Sequence, residues 1–355
     1  MRRCVKLALA GAGETRSNPM VGAVLVHDGR IIGEGYHERY GEAHAEVNCI
    51  RSVTPADQHL IADSTIYVSL EPCAHFGKTP PCADLIIKHG IRHVVIGAGD
   101  PFPGVDGKGI AKLRNEGLRV DVGILEADCR AINRRFFTFH EKKRPYIILK
   151  WAETADRFIG SNEQRLMISN DLSQRLVHRW RSEEMAIMVG TNTASADDPE
   201  LTVRKWTGNN PVRIVADRQL RLPGTLKLFD GIVETIVLND SREGVDNKIE
   251  YIKTDKKNTD SNVEAILHAI AARGITSVIV EGGRQLIQSF IEKGYWDEAR
   301  VITNQQMFTG KGISAPDLKD PVLFREMKLK NDQIRWFRNA SNAYQLNLLN
   351  EYERC

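Results

Sequence analysis

Apolar positions in this chain fall into short blocks separated by polar, glycine- and proline-containing breaks. The blocks alternate between strand-like and helix-like periods. Residues 21–26 (VGAVLV) and 31–36 (IIGEGY) are apolar runs split by His27-Asp28-Gly29-Arg30, which reads as a hairpin. A helix is expected to start at His44. The β-branched run 65–70 (TIYVSL) reads as a strand that stops just before Pro72-Cys73, and a helix follows from Cys82 to Lys88. Strand 92–97, helix 108–115, strand 118–122 and helix 126–139 complete the series. Strands alternating with helices predict an α/β layer on a largely parallel sheet.

A charged stretch ending in proline, Glu141-Lys142-Lys143-Arg144-Pro145, interrupts this pattern and marks a boundary between domains 1–144 and 145–355. The run 146–151 (YIILKW) opens a second α/β series. Strands are expected near 185–189, 212–216, 234–238, 249–252 and 277–280, and helices near 171–182, 262–272 and 284–292. From about 321 to 350 the pattern alternates as further strands. A length of 355 residues agrees with two domains. No internal repeat or low-complexity tract is present.

Composition narrows the function classes. With 42% hydrophobic and 27% charged residues the chain reads as an ordinary globular protein. A net charge of +3 is too small to argue for nucleic acid as a partner. No run approaches the roughly 18 apolar residues of a membrane helix. Arg2 and Arg3 precede a short apolar stretch, as in a secretory signal, but Lys6 interrupts it and no long apolar core follows. The segment therefore reads as an amphipathic first helix of a cytoplasmic protein. Of the six cysteines, Cys4, Cys49, Cys129 and Cys355 are scattered and read as buried free thiols, in keeping with a reducing compartment.

Cys73 and Cys82 belong to a different pattern. His44-Ala45-Glu46 is followed by Pro72-Cys73 and, across eight residues, by Cys82. One histidine and two cysteines make three zinc ligands. Three protein ligands leave the fourth position of a tetrahedral zinc open for water, as in a catalytic site. H-x-E followed by P-C…C is the zinc nucleobase-deaminase pattern. Zinc lowers the pKa of bound water toward about 7. Glu46 is the expected proton shuttle, a role typically worth about 10²–10⁴ in rate. The alternative is a closed structural zinc site with His75 as fourth ligand; it leaves Glu46 without a role.

The P-C-A-H-F-G-K-T-P-P-C motif at 72–82 resembles the deaminase domain of the bifunctional riboflavin-biosynthesis deaminase/reductase (RibD) family. So do S-N-P-M-V-G-A-V at 17–24, G-E-G-Y-H at 33–37 and G-E-A-H-A-E at 41–46. With the second domain the resemblance covers nearly the whole chain. It implies a cytidine-deaminase-like α/β/α domain that converts 2,5-diamino-6-(5-phosphoribosylamino)pyrimidin-4(3H)-one to the 5-amino-uracil ribosyl phosphate. His44, Cys73 and Cys82 would hold zinc, with Glu46 as acid/base. Asn18, His37, His75, Lys78 and Asp100 would contact substrate.

The second domain lacks a G-x-G-x-x-G after its first strand. It carries Lys150, a G-x-x-T-x-x-x-D-x-P-x-L-T-x-R run at 190–204, and Val280-Glu281-Gly282-Gly283. The two glycines would let backbone amides approach a phosphate at a helix N-terminus. Together these elements resemble the family's reductase domain, which is similar in fold to dihydrofolate reductase. The resemblance implies NADPH-dependent reduction of the ribosyl group to ribityl. Ala152, Met167, Ser169, Thr193, Asp197 and the segment from Gly283 would line the NADPH site. Arg181, Leu201, Arg204 and Glu281 would hold substrate, and Lys150 would polarise its reacting end. A small-molecule substrate and a homo-oligomer are also implied, with no nucleic acid or membrane as partner.

The family's K-x-A-x-S-x-D-G element departs here, with Thr154 for serine and Arg157 for a glycine whose backbone angles other residues rarely adopt. In the shortened segment 161–169, Arg165 stands for a small polar residue and Met167 for an aromatic one. These departures motivate a second reading, in which the reductase domain is catalytically weak and serves as a scaffold. A nucleic-acid-editing zinc deaminase is a third, opposed by the near-neutral charge and the lack of a basic aromatic stripe.

Overall fold

The computed structural model describes residues 1–74, 76, 80–161, 166–254 and 262–342. Contacts divide these into two compact units that meet in sequence between Lys142 and Lys143. No helix among the described residues is long and apolar enough to cross a membrane.

The first unit is built on a five-stranded sheet. In spatial order its strands are Arg30–Tyr36, Gly22–His27, Thr65–Leu70, His93–Ala98 and Arg119–Val122. The hairpin turns at Asp28 and Gly29, both at positive φ (46° and 77°), as a tight turn matched to strand twist requires. The sheet is mixed rather than largely parallel: Gly22–His27 runs antiparallel to both neighbours, and only the last two pairings are parallel. A hairpin returns on itself without a crossover, so strand–helix alternation applies only from Thr65 onward. Its core joins sheet residues such as Leu25, Ile66, Val68 and Ile96 to Cys49, Ile50 and Ile86 from the covering helices. At Gly35 a Cβ would lie 2.3 Å from the backbone nitrogen of Cys49, so helix Ala45–Arg51 sits directly on the hairpin. That contact seats His44 and Glu46 against the sheet.

The expected helix 126–139 is two helices, Glu126–Ile132 and Arg134–Lys142. The break falls at Asn133, whose amide is used elsewhere. Its Oδ1 accepts the backbone N–H of Met20 at 2.7 Å, and its Nδ2 donates to the Met20 carbonyl at 2.9 Å.

The second unit carries a ten-stranded sheet. Its order is Gly244–Asp246, Ile249–Lys253, Thr235–Asn239, Val212–Ala216, Ala186–Gly190, Ser277–Glu281, Tyr146–Thr154, Glu298–Asn304, Asp332–Asn339 and Pro321–Leu329. The seven strands from Ile249–Lys253 to Glu298–Asn304 are parallel and the outer ones antiparallel. Glu298–Asn304 is an additional central strand with no apolar run to announce it. All seven residues are buried, and Arg300 Nε donates to Glu298 at 2.6 Å. Buried charge of this kind hides a strand from hydrophobicity. Residues 343–350 of the expected terminal strands lie outside the described residues.

Candidate active sites

In the first unit the ligand set comes from two helix starts and one strand end. His44 caps helix Ala45–Arg51, and Cys82 opens helix Cys82–Lys88 behind Pro81. Cys73 lies three residues past strand Thr65–Leu70. His44 Nδ1 is 3.6 Å from Cys73 Sγ and 3.4 Å from Cys82 Sγ, and the three donor atoms all lie within 4.8 Å of one another. Tetrahedral zinc, with bonds of about 2.0 Å to nitrogen and 2.3 Å to sulfur, separates such donors by about 3.5 Å. The donor set therefore fits zinc. Bonds from Cys82 and His44 draw the Cys73 thiol pKa down, toward the thiolate that a metal needs.

Glu46 is buried in the first turn after His44, and burial pushes its carboxyl up to about 6, with the His44 charge opposing. A carboxyl near this value both accepts and returns a proton at neutral pH. His37 and His44 meet edge to face at 5.5 Å. His37 Nδ1 lies 3.1 Å from the Ala43 carbonyl, which assigns the ring proton there. Nε2 then accepts from Asn18 Nδ2 at 3.2 Å, which leaves the Asn18 amide oxygen available as an acceptor. Asp100 follows strand His93–Ala98, beside the strand that leads to Cys73. Burial pushes its carboxyl up to about 7. His75 and Lys78 lie outside the described residues.

Two supporting residues escaped the sequence reading. Glu71 is buried at the end of its strand. It accepts the N–H of Asp100 (3.2 Å) and of Gly107 (3.1 Å) on Oε2 and of Ile110 (3.1 Å) on Oε1. One carboxylate thus ties the approach to Cys73 to the turn that carries Asp100. Asn133 does the same for the loop that carries Asn18. Neither has a local signal, because the bonds span tens of residues.

The second unit holds a cavity of about 1810 Å³ at the carboxyl ends of its parallel strands, where ligands of open α/β sheets bind. The cavity wall brings together Lys150, Arg181, Leu201, Arg204 and Glu281 of the expected substrate set. Ala152, Met167, Ser169, Thr193, Asp197 and Gly283 of the expected cofactor set line it as well. Arg181 grips Glu281 with two bonds, 2.8 and 3.1 Å, and Lys150 Nζ lies 3.8 Å from the same carboxylate. Burial would raise the Glu281 pKa, but the Arg181 and Lys150 charges overturn that and hold it at about 2. Burial lowers the Lys150 pKa, and the Arg181 charge adds to this. Gly282 takes φ +83°, with Thr193 Cγ2 2.5 Å from where a Cβ would stand. Helix Arg284–Glu292 opens there toward the cavity. A turn of this kind beside a cavity of this size fits a phosphate-bearing nucleotide.

Arg157 does adopt the unusual angles expected of the replaced glycine, with φ +64°. Its side chain donates to the Pro316 carbonyl at 2.9 Å and to Asp317 at 3.2 Å, so the loop is tied rather than broken. Arg165 lies outside the described residues. His178 was also missed. It shares a stripe with Gln174, Val177 and Arg181, all lining the cavity from helix Asp171–Glu183 at i, i+3, i+4 and i+7.

Comparisons with known proteins agree with this division. Residues 1–98 match the cytidine and deoxycytidylate deaminase zinc-binding region, and residues 145–340 match the RibD C-terminal domain. The riboflavin biosynthesis protein RibD of Aquifex aeolicus is 38% identical over 344 residues, with 94% of each chain covered. A crystal structure from Thermotoga maritima superposes with a TM-score of 0.85 at 36% identity, covering 96% of this chain and 97% of that one. Its protein is described as a diaminohydroxyphosphoribosylaminopyrimidine deaminase/5-amino-6-(5-phosphoribosylamino)uracil reductase. Acinetobacter baumannii RibD superposes with a TM-score of 0.84 at 29% identity, covering 95% and 97%. A zinc-binding deaminase domain followed by a reductase domain of the kind that uses NADPH, matched end to end by such relatives, places the chain in the RibD family of bifunctional deaminase/reductases of riboflavin biosynthesis.

Proposed function

We propose that the first unit deaminates 2,5-diamino-6-(5-phosphoribosylamino)pyrimidin-4(3H)-one at a zinc held by His44, Cys73 and Cys82. The observation that carries this is the spacing of the three donor atoms, with Glu46 buried beside them. Zinc bound there supplies Lewis-acid activation of a water. Glu46 takes the proton of the attacking water and delivers it to the exocyclic nitrogen, which leaves as ammonia. The Asn18 amide oxygen, His37 and Asp100 hold the pyrimidine edge, and His75 and Lys78 are assigned to substrate by motif alone.

The second unit then reduces the ribosyl group of that product to ribityl, with NADPH as hydride donor to C1′ of the open-chain imine. Ala152, Met167, Ser169, Thr193 and Asp197 would hold the cofactor, and the backbone amides that follow Gly283 would take its phosphates. Lys150, paired with Glu281, presents its charge to the reacting end. Leu201, Arg181 and Arg204 position the substrate, with the arginines nearest its phosphate. We place the enzyme in the cytoplasm as a homo-oligomer acting on a small molecule, without nucleic acid or membrane. Support comes from the free thiols of the described cysteines and the small net charge of +3.

The test is a coupled anaerobic assay with the diaminopyrimidine ribosyl phosphate and NADPH. Ammonia release followed by equimolar NADPH oxidation is expected. Ammonia without NADPH oxidation would leave the second unit as a scaffold. The anchored Arg157 loop argues for an active reductase instead.

A further inference from the structure

His178 is buried, yet it lies on the wall of the reductase cavity. Its Nδ1 accepts the backbone N–H of Arg204 at 3.1 Å. That bond fixes the tautomer, since a neutral ring with an accepting Nδ1 carries its proton on Nε2. Nε2 has no partner among the described residues and is not among the sealed, unpaired atoms, so its N–H reaches the cavity. The surroundings are cationic. Arg181 lies one turn along the same helix, Arg204 and Lys205 come from the facing segment, and the acids nearby are already paired, Glu281 with Arg181 and Lys150 and Glu200 with Arg204 at 2.7 Å. Burial and the charges of Arg181, Arg204 and Lys205 push the ring pKa down to about 4, against the pull of Glu281. The ring is therefore neutral at working pH. A neutral N–H donor amid three cations suits an anionic oxygen.

We propose that His178 is a substrate-recognition residue of the reductase, fixing the segment that carries Arg204 through Nδ1 and donating Nε2–H to an oxygen of the substrate's phosphate. This rests on the reading above that the reductase substrate is a ribosyl phosphate. The two ring nitrogens do separate work, and two substitutions separate them. His178→Asn keeps an acceptor near the Nδ1 position and loses the donor. His178→Gln can place an amide N–H near the Nε2 position.

The experiment measures KM and kcat for 5-amino-6-(5-phosphoribosylamino)uracil and for its dephosphorylated counterpart by NADPH oxidation. With the phosphorylated substrate, His178→Asn is expected to raise KM by about tenfold or more, the usual cost of a lost hydrogen bond to a charged group. Its kcat should stay within about threefold, and His178→Gln, which restores the donor but gives up the bond to the Arg204 N–H, should recover part of the KM. Neither variant should change the KM of the dephosphorylated compound. A wild-type KM in His178→Asn, or an equal loss with both compounds, would overturn the proposal, the latter reducing His178 to a support for its neighbouring segment. Failure of the wild type to oxidise NADPH with the phosphorylated compound would instead sink the substrate assignment itself.

Discussion

Removing the charge of Glu281 is the sharpest test of how the reductase centre is held together. Glu281→Gln keeps the shape of the side chain and mimics its protonated form, leaving Arg181 and Lys150 buried without their counter-charge. The native carboxyl sits at about 2, against an ordinary value of 4.5. At about 1.36 kcal/mol per unit of pKa, the ionised form stabilises the native state by about 3.4 kcal/mol at neutral pH. The folded pKa is depressed, so this contribution is complete above about pH 4.5 and is lost as pH falls toward 2. By pH 3 linkage leaves about 1.4 kcal/mol. The assay is urea unfolding followed by tryptophan fluorescence. All five tryptophans, Trp151, Trp180, Trp206, Trp296 and Trp336, lie in the second unit, so the signal reports it alone. With a slope of about 2–3 kcal/mol per molar urea, the variant's midpoint should fall by about 1.1–1.7 M at pH 7, and by less than half that at pH 3. A midpoint within 0.3 M of wild type at pH 7, or a deficit that is undiminished at pH 3, would refute the ion-pair account.

Three further outcomes follow from the same geometry. Glu46→Gln should keep one zinc per chain by metal analysis while ammonia release falls by at least about a hundredfold; near-normal release would remove Glu46 from the proton path. Asn133→Ala strips both partners from the Met20 backbone, which should cost about 1–2 kcal/mol in thermal unfolding and raise the deaminase KM. An unchanged KM would show that the Asn18 loop holds itself. Arg157→Gly relieves a left-handed residue worth about 1 kcal/mol but loses two partly exposed bonds and gains chain entropy in the unfolded state. The net change should lie within about 1 kcal/mol, with NADPH oxidation kept; a large loss of either would make the arginine a required part of this chain's loop.

Much of the fold was legible because burial and periodicity agree over most elements. Strand Thr65–Leu70 and helices Cys82–Lys88, Lys108–Asn115 and Arg284–Glu292 lie at their expected positions. Where the reading failed, a buried polar interaction replaced a hydrophobic signal. Asn133 ends a helix that apolar periodicity would continue, because its amide serves Met20 more than a hundred residues away. Glu298 and Arg300 conceal a central strand, because their charges cancel inside the core rather than in water.

The two sites differ in legibility for a reason rooted in topology. Zinc ligation and its proton shuttle need donors within a few ångströms. The first unit gathers them from two helix starts and one strand end, so the ligands keep short fixed spacings such as His44 to Glu46 and Cys73 to Cys82. A parallel sheet works differently. It gathers its ligands at the ends of strands far apart in sequence, so Lys150 reaches Glu281 only through the pairing of Tyr146–Thr154 with Ser277–Glu281. Each such residue carries little local signal, and only a motif spanning the whole domain reveals it. His178 shows what that leaves behind. It stands three residues before Arg181 on the same helical stripe, and the cavity and the Arg204 N–H on its ring set it apart from a surface histidine. A helix stripe that contains one expected ligand is therefore the place to look for a second, and the i, i+3, i+4, i+7 spacing of Gln174, Val177, His178 and Arg181 is the signal that would have found it.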